Sequence, residues 1–334
     1  MVIAQPVVTE TGQLLLQKGL PLTDNLVRRL SRWPVPNVSV RLPEKVRYAD
    51  PDFCRKYNET LELIASAFEK TRIFKEVPIA ECKEIVNNYI ELMIDIVGVV
   101  DSLYQVKDHN EYTFRHSLNV AIMAGILGKW LGFAGQQLKD IILAGLLHDI
   151  GKIMIPQSIL DKPGKLTDEE MDIVKTHPKI GDQLIAGASE LSQAVKLGIL
   201  QHHERSDGSG YPAGLVYGDI HICARIVAIA DVYDAMTTER VYRKQMPPFT
   251  AVEIIIEEMY DKLDPELCCT FITNMRRTLI GSSVLLSDGN KARVVLLHDL
   301  LSTRPIVQLE TGYVMDLEKN RGINVVALLE ENTA

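Results

Sequence analysis

Three stretches of this chain are apolar along most of their length and yet carry ionisable side chains: "YTFRHSLNVAIMAGIL", "LKDIILAGLLHDIGK" and "ARIVAIADVYDAM". Such segments read as helices inside a bundle, where an uncompensated carboxylate such as Asp231 would cost several kcal/mol. Of the eight histidines, His116, His148, His177, His202 and His203 stand at the starts or ends of apolar helices. His202 and His203 are adjacent, and an adjacent pair points in two directions on a helix or on a strand. One apolar face cannot hide both, so either they are surface residues or they serve a site that surrounds them. The segment after them, "ERSDGSGYPAGL", cannot be a helix.

Taken singly, each residue has a plain structural reading: a histidine at a helix end is often just exposed, and Asp149 could simply terminate its helix. Together they need a common compensation, and metal coordination supplies one. Nitrogen and carboxylate ligands without thiolates suit Fe, Mn, Ni or Zn. Five histidines and two aspartates exceed what one ion needs, so the natural count is two divalent ions. Two metals bridged by a carboxylate and a hydroxide are suited to in-line attack on a phosphodiester.

The rest of the chain bounds the reading. At 334 residues it can hold one sizeable core and one or two small domains. The formal net charge of -8 recommends no nucleic-acid duplex as partner. Five cysteines without zinc-type spacing argue for a reducing, cytoplasmic setting. The start "MVIAQPVVTETGQ" lacks the pattern of a signal peptide, and no apolar run approaches the roughly 20 residues of a membrane helix.

The expected fold is mainly α, a helical bundle with a small α+β N-terminal domain (1–42) and a β-rich C-terminal segment (281–334). In the first, short strands flank a helix over "LTDNLVRRLSRW" capped by Thr23 or Asp24. Residues 43–110 carry two helices, "ETLELIASAFEKTRIF" and the long "AECKEIVNNYIELMIDIVGVVDSLYQV", which could pack on a partner subunit in a homodimer. Residues 111–280 hold the chemistry. There "TDEEMDIVKTHPKIG" is expected as a helix with a capping box from Thr167 and Glu170, delivering His177. In the tail, Asp288-Gly289 marks a hairpin. His109, His221 and His298 read as ordinary loop or strand-edge residues, and Cys268-Cys269 as core.

"HDIGK" together with "HHERSDGSGYP" resembles the HD-GYP family, a branch of the HD-domain metal-dependent phosphohydrolases. The likeness covers about residues 105–275 and includes "IPQSILDKPGKLTDEEMDIVKTHPKIG" and "IADVYDAMTTERVYRK". It implies an HD-type bundle that hydrolyses cyclic di-GMP to pGpG, and slowly on to GMP. One metal, Fe or Mn foremost, would be held by His116, His148, Asp149 and Asp231. The other would be held by Asp149, His177, His202 and His203, with Asp149 bridging and a bridging hydroxide as nucleophile. Lys152 would contact a phosphate, with Arg240 and Arg243 on the other phosphate or a guanine, and Tyr211 in the cleft wall. The family commonly has Lys where Arg243 stands, and Arg keeps the charge but not the geometry. Asp234 would orient a metal-bound water or a ligand histidine, or contact substrate. Glu111 is a candidate ligand for a third metal. The Gly-Tyr-Pro loop would dock GGDEF-domain proteins. Two other readings stand beside this one: a catalytically silent cyclic di-GMP receptor, and a hydrolase of a related cyclic dinucleotide.

Overall fold

The computed structural model describes residues 2–9, 12–20, 26, 29–30, 32–33, 38–41, 51–96, 98–106, 112–238, 245–298 and 302–329. Near the N-terminus, β1 (Val2–Ile3) pairs antiparallel with β4 (Val40–Arg41), and β2 (Val7–Val8) with β3 (Leu14–Leu16). The expected caps Thr23 and Asp24 lie outside the described residues, although Leu26 and Arg29–Leu30 are helical.

The helical body is built around three helices that have almost no polar face. In α5 (Tyr112–Trp130) every residue from 114 to 128 is buried. The helix α6 (Gly135–Leu147) buries every residue from Ile141 to Leu147. The helix α11 (Ile222–Thr237) buries Cys223, Ala224 and most of its later residues, Asp231 and Asp234 included. With no side left for solvent, these three pack on one another and the remaining helices pack around them.

Around them, α1 (Pro51–Phe74) inserts Phe53, Tyr57, Leu61, Ile64 and Phe68 into the same core. The long helix expected over residues 80–106 is instead three pieces. These are α2 (Ile79–Ile85), running through a π turn (Val86–Ile90) into α3 (Glu91–Met93), and α4 (Val99–Gln105). The helix ends at Met93, and Gly98, whose φ of 83° is left-handed, stands directly before α4. Ile85, Val86, Ile90, Met93, Val99 and Val100 are buried in this chain's own core, so that apolar face is covered without a partner.

A 3-10 turn (Ile150–Met154) follows α6 and leads to α7 (Gln157–Leu160) and α8 (Asp168–Val174). The capping box of α8 is present: Glu170 N–H donates to Thr167 Oγ1, and Thr167 N–H to Glu170 Oε2. The helix expected to run on to His177 stops at Val174. A separate helix, α9 (His177–Leu184), begins at His177. Pro178 sits in the first turn of that helix, where its missing amide hydrogen costs no intrahelical bond. Then α10 (Gln193–Gln201), capped by Ser192, ends at His202. Beyond α11, α12 (Pro248–Glu258) and α13 (Pro265–Leu279) close the body.

The tail forms a five-stranded antiparallel sheet in the order β8-β7-β6-β5-β9, from β5 (Ser283–Leu286), β6 (Lys291–Leu296), β7 (Ile306–Leu309), β8 (Val314–Asp316) and β9 (Val325–Leu328). Gly289, at φ 85°, makes the expected β5–β6 hairpin. Val284, Leu286, Val294 and Val307 build a second small core with Phe249 and Leu279 of the helices. Among the described residues, no helix is long and apolar enough to cross a membrane.

Candidate metal centre

The ends of the apolar helices meet at one point. His116 comes from the first turns of α5, His148 and Asp149 from the C-terminal end of α6, and His177 from the start of α9. His202 and His203 follow α10, and Asp231 lies on α11. All are buried except His203, which is partly exposed. The carboxylate of Asp149 divides its two oxygens between two histidine groups. Oδ2 lies 3.3 Å from His148 Nε2 and 3.4 Å from His116 Nε2. Oδ1 lies 3.1 Å from His177 Nε2 and 3.8 Å from His202 Nε2. Asp231 approaches from the side, with Oδ1 3.2 Å from His116 Nε2 and Oδ2 4.0 Å from His203 Nδ1. Potential ligand atoms therefore form two clusters, His116, His148 and Asp149, and Asp149, His177, His202 and His203.

The second nitrogen of each ring fixes what the first can do. His148 Nδ1–H donates to the Gly145 carbonyl (2.8 Å), His177 Nδ1–H to Val174 (2.7 Å) and His202 Nδ1–H to Ile199 (2.8 Å). His116 Nδ1–H donates to Asp234 Oδ2 at 2.6 Å. A neutral ring that donates from Nδ1 has a bare lone pair on Nε2. Yet His148 Nε2 and His116 Nε2 stand 3.3 Å apart, and His177 Nε2 and His202 Nε2 3.2 Å apart. Between lone pairs these contacts are repulsive, and Asp149 Oδ1 is buried with no hydrogen-bond partner. Divalent cations, one in each cluster, would turn these repulsions into coordination, so the residues fit such ions.

Burial and repulsion from His203, His148 and His177 hold the His202 imidazole well below its ordinary pKa. Burial above all pushes His203 down to about 3. Both rings thus remain neutral ligands. For Asp149, burial opposes ionisation, but the adjoining His148 ring and the Lys152 ammonium outweigh it and hold the carboxyl well below the usual carboxylate range. Asp231 is likewise held low, with His116 and His203 outweighing its burial.

Around this centre, Lys152 Nζ donates to Asp149 Oδ2 at 2.5 Å from a half-buried position. Tyr211 stacks on the His203 ring with centroids 4.6 Å apart, which puts the Gly-Tyr-Pro loop against the centre. Asp234 does not face the cleft. Its Oδ2 accepts from His116 and its Oδ1 from Asn119 Nδ2 (2.7 Å) and Thr238 Oγ1 (2.7 Å), so it is spent on orienting a histidine rather than on substrate. Glu111, Arg240, Arg243 and His109 lie outside the described residues. His221 accepts from Cys223 N–H and caps α11, and His298 pairs with Asp316 in the tail sheet.

Three residues were not singled out in the sequence. Asn119 stands one turn after His116, a polar residue in an otherwise apolar run, and this was a usable signal. Tyr57 donates from its hydroxyl to Asn119 Oδ1 at 2.6 Å from 62 positions away, with no local signal. Glu204, next to the histidine pair and buried, accepts from the Ala213 N–H (2.7 Å) and Leu215 N–H (2.8 Å), and so moulds the Gly-rich loop. Within that loop a Cβ on Gly210 would lie 2.4 Å from Arg205 N and 2.5 Å from His203 O, which is why glycine stands there.

A family model described as an HD domain matches residues 99–267, half of the chain. The chain belongs to the HD domain family. It is 33% identical over 272 residues to Cyclic di-GMP phosphodiesterase PA4108 of Pseudomonas aeruginosa, covering 81% of this chain and 64% of that one. It is 34% identical over 178 residues to the 3'3'-cGAMP-specific phosphodiesterase 3 of Vibrio cholerae, covering 53% of this chain and 37% of that one. The chain thus spans less than two thirds of either relative. Among solved structures, Bd1817, a HDG"Y"P protein from Bdellovibrio bacteriovorus, matches with a TM-score of 0.55 at 17% identity, over 81% of this chain and 94% of that one, a likeness of fold.

Proposed function

We propose that this chain is a metal-dependent phosphodiesterase that hydrolyses cyclic di-GMP to pGpG, and more slowly to GMP. The observation that carries the reading is the division of the Asp149 oxygens between two sets of imidazole Nε2 atoms, each set already fixed in the ligating tautomer. His116, His148, Asp149 and Asp231 would hold one cation, and Asp149, His177, His202 and His203 the other. Fe or Mn suits these nitrogen and carboxylate donors. Such a pair, when bound, supplies Lewis-acid charge and a nucleophile made from water at neutral pH.

The protein's own groups do the rest. Lys152, which lies beside Asp149, would contact a substrate phosphoryl oxygen and offset its developing charge. The His203–Tyr211 stack forms one wall of the cleft, and Glu204 holds the loop that carries it. Arg240 and Arg243 would serve the second phosphate or a base, and Glu111 a third metal. With the same reading go a cytoplasmic setting, a division of the chain at 42, 110 and 280, a homodimer, and GGDEF-domain proteins docking on the Gly-Tyr-Pro loop.

The cGAMP-specific relative favours one second reading, hydrolysis of a mixed cyclic dinucleotide by the same site. Turnover of cyclic di-GMP and 3'3'-cGAMP, after anaerobic loading with Fe(II) or Mn(II) and with products resolved, tests both. The expected result is cyclic di-GMP consumed faster, with pGpG accumulating before GMP. Faster consumption of cGAMP would establish the second reading. Binding of cyclic di-GMP without turnover in the loaded protein would establish a receptor instead.

A further inference from the structure

The histidines of the centre are not held alike. His148, His177 and His202 each donate from Nδ1 to the carbonyl three residues earlier, so their orientation is local to their own helix end. His116 instead depends on side chains from elsewhere in the chain. Its Nδ1–H donates to Asp234 of α11, 118 positions away. Asp234 accepts on its other oxygen from Asn119, and Asn119 accepts from Tyr57 of α1. Tyr57, Asn119, Asp234 and His116 are all buried, with Tyr57 fully enclosed.

The polarity of this chain of bonds runs one way. A carboxylate only accepts, so Asn119 must turn its NH2 towards Asp234, which leaves its oxygen for Tyr57. The Tyr57 hydroxyl must then donate. With Asn119 and Thr238 both donating to Oδ1, the Asp234 carboxylate is held in one orientation, and its other oxygen accepts from His116 Nδ1–H. A cavity of about 20 Å³ lies beside the relay, lined by Asn119, Asp234, Thr238 and Tyr104, among others. That is room for about one water, so Asn119 has somewhere to turn if its partner is lost.

We infer that Tyr57 is a positioning residue for the first metal: through Asn119 and Asp234 it sets the ligand geometry of His116, so the affinity of that metal depends on the seating of α1. Tyr57 lies outside the segment matched by the HD domain model, which begins at residue 99. The upstream helix is thereby tied to one metal of the two. The inference rests on the two-metal reading of the site.

The test is Tyr57→Phe in the full chain, which removes one hydroxyl and keeps the ring packed on Phe53. Metal-free wild type and variant are titrated with Co(II), with absorption in the visible range and competition by a chelator resolving the two sites. The thermal midpoint is recorded in parallel. Loss of an outer-shell partner commonly weakens metal binding roughly 10- to 100-fold, and Tyr57, two hydrogen bonds beyond the outer-shell Asp234, is expected at about 3- to 10-fold. That loss should fall on one site, with the other unchanged and the first site's absorption altered. Equal affinities in wild type and Tyr57→Phe, or equal weakening of both sites, would overturn the inference while leaving the two-metal reading standing. A wild type that binds fewer than two ions would overturn that reading, and the inference with it.

Discussion

Gly151 stands two residues after Asp149, where the 3-10 turn touches the start of α9. A Cβ at that position would lie 2.0 Å from the His177 carbonyl oxygen and 2.7 Å from Gly181 N, both backbone atoms. Ordinary contact begins near 3.4 Å, so turn and helix must part by about 1.4 Å. Neither side can yield by rotating a side chain. Overpacking typically costs about 1–3 kcal/mol, and backbone against backbone belongs at the upper end. At roughly 2–4 °C per kcal/mol, Gly151→Ala should lower the melting temperature of metal-free protein by about 6–12 °C. The movement also separates Asp149 from His177, whose atoms lie 3.1 Å apart. A misplacement of about 1 Å costs on the order of 100-fold in rate, so the variant should lose that much activity and most of the metal shared by these two residues. The matched control is Gly187→Ala, where an added Cβ meets nothing within 4 Å and stability should change by less than about 0.5 kcal/mol. Thermal melts with chelator, followed by metal analysis, check both. A Gly151→Ala protein that melts with wild type and keeps its metals would refute the reasoning.

Lys152→Ala should keep both metals and lower turnover by about one to two decades, the worth of a charge-assisted contact of roughly 1.5–3 kcal/mol; an unchanged rate places Lys152 outside the reaction. Glu204→Gln puts an NH2 against a backbone N–H in a buried site, and should cost about 1–3 kcal/mol and raise KM through the Gly-Tyr-Pro loop, whereas unchanged KM and melting would remove its assigned role. Acidification should destabilise the metal-free protein, because His202 and His203 stay neutral in the fold, His203 down to about 3, while their unfolded value is 6.5. For His203 the unfolded chain then binds more protons between about pH 6.5 and 3, so stability falls through that window by up to about 1.4 kcal/mol per pH unit, and His202 acts in the same direction; a melting temperature that holds steady from pH 7 to 5 in chelator would contradict this.

The centre was legible because its residues break a strong local pattern. Asp231 in "ARIVAIADVYDAM" and His148-Asp149 after "IILAGLL" are conspicuous in buried helices, and the His202-His203 pair cannot face one apolar side. The breaks were less legible. The apolar spacing of residues 80–106 runs straight through the turn after Met93 and the left-handed Gly98 that lie between α3 and α4. The break before His177 was signalled by Pro178, which suits the first turn of a new helix. Tyr57 was illegible for a different reason: its role depends on a contact across 62 positions, and a tyrosine in an amphipathic helix carries no mark of it.

The central claim is that one carboxylate, Asp149, serves two cations. Metal analysis of Asp149→Ala beside wild type, with helical content followed by circular dichroism, tests it most directly. Wild type should carry two divalent ions per chain, and Asp149→Ala fewer than one, with its helices kept. An Asp149→Ala protein that still holds two ions would contradict the account.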